Sequence, residues 1–150
     1  MLAMTTDSGP TLEDAVALAL KVHAGVKDRG GQPYILHPLR LMVRMVTEAE
    51  RMAAVLHDVV EDDTRYGTTF ATLRQAGFPE AVVSAVECLT KRDGEVYDAF
   101  IERAKSNPIA RRVKLADLED NLDVRRLLSV TAKDTDRFEK YRRAWTVLQD

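Results

Sequence analysis

The chain predicts an all-α, single-domain bundle of about seven or eight helices. Three observations carry this. Apolar residues recur at three- and four-residue spacing in segment after segment. No segment sustains the apolar–polar alternation of a strand with hairpin turns. No linker, repeat or low-complexity tract divides the 150 residues, a length that suits one domain with a substantial core.

Residues 1–10 read as a flexible lead-in, and 11–150 as the domain. Thr11 and Asp14 have capping-box spacing and open a helix whose inward face is Leu12, Ala15, Val16, Ala19, Leu20 and His23, stopped near Gly25. Val26 to Gln32 is a polar loop. Pro38 biases His37 away from helical angles and starts a helix over about Pro38–Glu48, with Leu39, Met42, Val43 and Val46 inward. Thr47 and Glu50 form a second capping box, opening the helix that runs through Met52-Ala53-Ala54-Val55-Leu56 into His57-Asp58-Val59-Val60-Glu61-Asp62. Shorter helices are expected over Phe70–Ala76 and over Glu80–Thr90, the latter with Ala81, Val82, Ala85, Val86 and Leu89 inside. Val96–Lys105 follows, then a helix from the Asn107-Pro108 cap to about Asn121, and a last one over Asp134–Leu148 with Phe138, Tyr141, Trp145 and Leu148 in register.

Composition excludes several function classes. A formal net charge of -2 supplies no long-range attraction to nucleic acid or an anionic membrane, while a small anionic ligand would need only local positive charge. Cys88 is the only cysteine, which rules out an intrachain disulfide, and its apolar neighbours suggest a buried thiol. No apolar run approaches twenty residues, and Met1–Pro10 lacks the basic start and apolar centre of a signal peptide. A cytoplasmic protein is the simplest expectation.

The chemistry concentrates in His57 to Asp62, where a core run ends in a histidine and three carboxylates. On one continuous helix, Glu61 falls four residues after His57 and Asp62 four after Asp58. Grouped without a partner, these heads would repel one another and lose hydration, a conflict that a divalent cation removes. His37 can be aimed at the same place by its loop. Asp117 lies among apolar neighbours, with Asn121 one turn along on the same face, while Glu119 and Asp120 suit a solvated acidic face. Lys114, three residues before Asp117, is either its ion-pair partner or a phosphate contact. His37, His57, Asp58 and Asp117 make a mixed nitrogen–oxygen set suited to manganese, iron or zinc. Water bound to such a metal becomes a nucleophile near neutral pH, and Glu61 and Asp62 stand where they can orient or deprotonate it.

His37, then His57-Asp58, then Asp117 reproduces the H…HD…D pattern of the HD-domain metal-dependent phosphohydrolases. More narrowly, the chain resembles the hydrolase domain of RelA/SpoT-type proteins and the small alarmone hydrolases. The resemblance is carried by His23-Ala24-Gly25, Pro33-Tyr34-Ile35-Leu36-His37-Pro38, Leu56 to Thr64, and Lys114-Leu115-Ala116-Asp117 with Asn121, and it runs over roughly residues 11–148. It implies a manganese ion held by His37, His57, Asp58 and Asp117. It also implies removal of pyrophosphate from the 3′ position of ppGpp or pppGpp, with Glu61 and Asp62 handling the water and Asn121 contacting the nucleotide. His23 and Tyr34 are expected to pack behind the ligands. No length is expected to remain for a synthetase or regulatory domain. The family's Arg-Lys pair before the first metal histidine reads Asp28-Arg29 here, leaving Arg29 and the nearby Lys27 as substrate contacts. Asp123 and Val124 also depart from the pattern, so the metal half of the site matches better than the nucleotide half. The same chemistry on NADPH or a nucleoside monophosphate, and a nucleotide-binding module without turnover, stand as alternatives.

Overall fold

The computed structural model describes residues 8–150, so most of the expected lead-in lies outside the described residues. Among the described residues the structure is helical throughout, with one isolated antiparallel bridge, between Lys27 and Pro33, and no strand. The helices are α1 (Leu12–His23), α2 (Leu36–Val43), α3 (Glu48–Leu56), α4 (Val59–Asp62), α5 (Phe70–Gln75), α6 (Glu80–Leu89), α7 (Tyr97–Lys105), α8 (Pro108–Asn121) and α9 (Ala132–Gln149), with a 3₁₀ turn over Val124–Arg126 between the last two.

The expected caps form. Thr11 and Thr47 each accept a hydrogen bond from the third residue of their helix, whose carboxylate bonds back to the threonine backbone, and Thr131, an unexpected third cap, starts α9 at Ala132 in the same way. Asn107 accepts from Ile109 N and Ala110 N, and Pro108, with no N–H to lose, takes the first position of α8.

Helix α3 is the axis. It packs against α1, α2, α6 and α8. Met52 to Leu56 are therefore buried consecutively, as happens when a helix is covered on all sides. Met52, Val55 and Leu56 join one cluster with Ala15, Ala19 and Val22 of α1 and Val82, Val83 and Val86 of α6. Ala53 and Ala54 face a second, with Leu41, Met45, Ala85, Leu89, Ala110 and Val113. Their small side chains let α2 and α8 approach closely. A third cluster, Ile101, Leu118, Ala144 and Leu148, ties α9 to α7 and α8. Each fully buried leucine or valine contributes about 1.5–3 kcal/mol.

Leu20, expected on the inward face of α1, is 47% exposed, and four further expectations are corrected. The helix through His57 is not continuous: Asp58 has φ -108° and ψ 0°, so α3 ends at Leu56 with His57 as its cap and a single turn, α4, restarts after Asp58. The histidine and aspartate thus sit at a joint, where their heads converge instead of spreading along one helix face. Second, α2 begins at Leu36, so His37 is helical, and the absent N–H of Pro38 falls in the first turn where none is needed. Its buried face carries His37 and Leu41 at four-residue spacing, continued by Met45 just past the helix, while Val43 and Val46 are 72% and 71% exposed. Third, Ala81 of α6 faces solvent and Val83 is buried. Fourth, Cys88 is half-buried, not buried.

Candidate active site

Three helices deliver the site. The N-terminal turn of α2 brings His37, the α3–α4 joint brings His57 and Asp58, and the second half of α8 brings Asp117. His37, His57 and Asp117 are all buried, and one candidate ligand atom from each lies within 4.8 Å of the others. His37 Nε2 is 2.9 Å from Asp117 Oδ1, and His57 Nε2 is 3.7 Å from the same oxygen and 3.0 Å from Asp58 Oδ2. Asp58 falls outside the 4.8 Å group. Its Oδ2 accepts the Tyr34 hydroxyl hydrogen bond. Rings of His23, Tyr34, His37 and His57 form a row with centroids 4.9, 5.7 and 5.3 Å apart.

The donor set fits a divalent cation. His57 Nδ1 donates to the Ala54 carbonyl at 2.7 Å, and His37 Nδ1 to Asp120 Oδ2 at 2.6 Å. Donation from Nδ1 leaves the Nε2 lone pair of a neutral ring facing carboxylate oxygens, and His57 Nε2 is buried without a hydrogen-bond partner. Lone pair against lone pair is repulsive unless a proton or a metal stands between them. With both rings neutral, Asp58 and Asp117 outnumber the one cation in contact, Lys114, whose Nζ lies 2.8 Å from Asp117 Oδ2. The proton equilibria carry the same mark. Burial alone would lower both histidines, yet the carboxylates Asp117, Asp120 and Asp58 raise them. Burial alone would raise Asp117, yet Lys114 and the two histidines hold it well below the usual carboxylate range. Asp58 is held at about 2, burial being outweighed by His57 and Tyr34.

Glu61 and Asp62 lie one turn beyond Asp58 on α4, their side chains partly exposed and partly covered. Burial of their carboxyl groups, with Asp58 nearby, raises both, Asp62 to about 6. Behind Asp62, His23 Nδ1 stands 3.9 Å from its Oδ2.

A cavity of about 330 Å³ adjoins the cluster, lined by Lys27, Asp28, Arg29, Tyr34, Asn121 and Arg126 among others. Tyr34 and Asn121 connect the two: Tyr34 binds Asp58, and Asn121 Nδ2 donates to Asp117 Oδ1 at 2.9 Å. Lys27, Arg29 and Asn121 thus share the cavity wall. Lys114 does not line it, and the first of its two expected roles, the ion pair with Asp117, is the one formed.

Asp120 overturns an expectation. Instead of facing solvent it is buried, accepting from His37 Nδ1 and from Arg40 Nε and Nη2 at 2.8 and 3.0 Å, with Arg126 Nη1 2.9 Å away. Burial would raise its carboxyl, but His37, Arg40 and Arg126 hold it far below the usual range. It fixes the tautomer and orientation of His37, as carboxylates commonly do for metal-binding histidines. Its three-residue spacing from Asp117 on α8 was the available signal. Arg40 and Arg126 had none, because they meet Asp120 only through the packing of α2 and the 3₁₀ turn against α8.

No family model matches the chain. Among curated proteins it is 34% identical over 130 residues to a GTP pyrophosphokinase of Streptomyces coelicolor, covering 78% of this chain and 15% of that protein. It is 29% identical over 123 residues to a guanosine-3′,5′-bis(diphosphate) 3′-pyrophosphohydrolase of Aquifex aeolicus, covering 74% and 17%. To the bifunctional (p)ppGpp synthase/hydrolase SpoT of Escherichia coli it is 35% identical over 86 residues, covering 55% and 12%. The chain thus spans less than a fifth of the length of these relatives. A solved structure of a metazoan ortholog of SpoT, described as hydrolyzing ppGpp, superposes with a TM-score of 0.74 at 23% identity, over 91% of this chain and 84% of that one, and shares its fold. The chain is thus similar in sequence to segments of proteins named as (p)ppGpp synthases and hydrolases, and it shares the fold of a solved SpoT ortholog.

Proposed function

We propose that this chain is a divalent-metal-dependent hydrolase that removes pyrophosphate from the 3′ position of guanosine-3′,5′-bis(diphosphate), with manganese as the ion and the cytoplasm as its setting. The observation that carries the reading is the pair of buried Nε2 atoms turned toward Asp117 Oδ1, in a chain similar to proteins named as (p)ppGpp hydrolases. His37, His57, Asp58 and Asp117 would hold the ion. When bound, it supplies charge neutralisation at the phosphate and a more acidic water.

The chain's own residues do the rest. Asp120 and the Ala54 carbonyl keep the two imidazoles aimed, and Tyr34 keeps Asp58 in place. Asp62, raised to about 6, is largely ionised at neutral pH yet basic enough to accept a proton from the attacking water, with Glu61 beside it. The water oxygen bonds to the 3′-linked phosphorus, the bond from that phosphorus to O3′ breaks, and O3′ takes up a proton. Guanosine diphosphate and pyrophosphate leave. Lys27, Arg29 and Asn121 hold the nucleotide in the adjoining cavity. Lys114 neutralises Asp117 and keeps its carboxylate ionised.

The test is a panel of phosphate esters and nucleotides incubated with purified, manganese-loaded protein. ppGpp should be consumed, and His57→Ala or Asp58→Ala should abolish its consumption. Metal-loaded protein that consumes nothing on the panel would sink the enzymatic reading.

A further inference from the structure

Arg126 stands where the cavity meets the metal cluster, on the 3₁₀ turn after α8, with a fifth of its side chain exposed. Its guanidinium is anchored on one side only. Nη1 donates to the Asp120 carbonyl at 2.9 Å and lies 2.9 Å from Asp120 Oδ2. The remaining contacts are long: Nη1 to Asn121 Oδ1 at 3.3 Å and Nη2 to Asp28 Oδ2 at 3.4 Å. Nε is buried with no hydrogen-bond partner. The Nε and Nη2 hydrogens of a guanidinium point the same way and form a fork that matches two oxygens of one phosphate. In Arg126 that fork is the under-satisfied edge.

The surroundings suit a ligand at that edge. The loop bearing Lys27, Asp28 and Arg29 touches the Arg126 backbone so closely that a Cβ at Gly30 would lie 2.0 Å from the Arg126 carbonyl oxygen. This contact sets the loop cations beside Arg126. Two other cations of the wall, Arg29 and Arg137, share a single carboxylate oxygen, Asp134 Oδ1, at 3.7 and 2.7 Å. Asp28 can release Arg126 without being stranded, because its Oδ1 accepts from Gln32 N at 2.9 Å.

We propose that Arg126 is a substrate-contacting, specificity-determining residue whose Nε–Nη2 edge, uncovered when Asp28 turns away, takes two oxygens of a nucleotide phosphate in this cavity. Asp28 is the placeholder acceptor that the phosphate displaces. The identity of the nucleotide rests on the hydrolase reading above; the phosphate contact does not. Because Asp120 holds both Arg126 and His37, an occupant at Arg126 is one carboxylate away from the metal cluster.

Calorimetry with GDP on chelator-treated protein tests the contact without metal or turnover. Arg126→Ala should weaken GDP by about tenfold or more, Arg126→Lys should recover part of the loss, and Asp28→Asn should bind at least as tightly as the wild type. With manganese and ppGpp, Arg126→Ala should raise KM by about tenfold or more, and Arg126→Lys should recover part of that loss. Three results would overturn the proposal: a wild type that does not bind GDP, an unaltered Arg126→Ala affinity, or equal weakening by Arg126→Ala and Asp28→Asn with equal loss of Tm. The last would mark a structural clamp. If Arg126→Ala weakens GDP but the wild type forms no pyrophosphate, the hydrolase reading fails and the phosphate contact stands.

Discussion

Asp120→Asn separates charge from shape at the hub behind His37. The amide retains the side-chain volume but offers one acceptor oxygen where the carboxylate offers two. Asp120 now serves His37 Nδ1 at 2.6 Å, Arg40 at 2.8 and 3.0 Å, and Arg126 at 2.9 Å. At least one charged donor must face the new amide hydrogens. A charge-assisted hydrogen bond is worth about 1.5–3 kcal/mol when shielded. The Arg40 side chain is 38% exposed, so its pair is discounted toward the surface value of about 0.5–1 kcal/mol. The sum is about 3 kcal/mol, or a Tm lower by about 10 °C for a domain of this size. Loss of the partner that orients His37 should also weaken manganese by about 10–100-fold. Thermal unfolding and metal titration of the same preparation read both numbers. A Tm within about 2 °C of wild type together with unchanged manganese affinity would refute the role assigned to Asp120.

Other consequences follow from the same geometry. Burial, then Asp58 and Glu61, raise Asp62 from 3.8 to about 6, so the fold holds that proton more tightly than the unfolded chain and stability falls as pH rises between those values. In metal-free protein, Asp62→Asn should therefore raise Tm at pH 8 more than at pH 5; an equal gain at both would contradict the assignment. Gly30→Ala drives a methyl into the Arg126 carbonyl, which should cost about 2 kcal/mol or more and weaken nucleotide binding, as denaturant unfolding and GDP titration would reveal. Adding manganese to about 100 times its Kd should stabilise the wild type by about 2.7 kcal/mol, seen as a higher Tm, and His57→Ala should lose most of that gain.

Much of the fold was legible because it rests on local rules. The threonine caps at 11 and 47 announce their helices by a carboxylate three residues on, and the Asn107-Pro108 start of α8 is equally local. The break after His57 was not legible, since Met52 to Asp62 carries no glycine or proline to interrupt a helix. Tertiary contacts set that joint. Among them, Tyr34 binds Asp58, while the Ala54 carbonyl, one turn back, accepts locally from His57 Nδ1. The rotation of α2 was missed for a related reason: Val43 and Val46 look like core, but His37 must point inward, and Leu41 and Met45 follow it at four-residue spacing. In the site, residue types with a strong preference for metal or water stood out. Asp120, Arg40 and Arg126 did not, because nothing in a charged surface-like pattern says which charges will meet across three elements.

The most direct measurement is the mass of the products formed from ppGpp in one turnover by manganese-loaded protein in ¹⁸O-labelled water. Attack at the 3′-linked phosphorus predicts equal amounts of GDP and pyrophosphate, with one ¹⁸O in the pyrophosphate and none in the GDP. Release of orthophosphate, label in the nucleotide, or no product from metal-bound protein would contradict it.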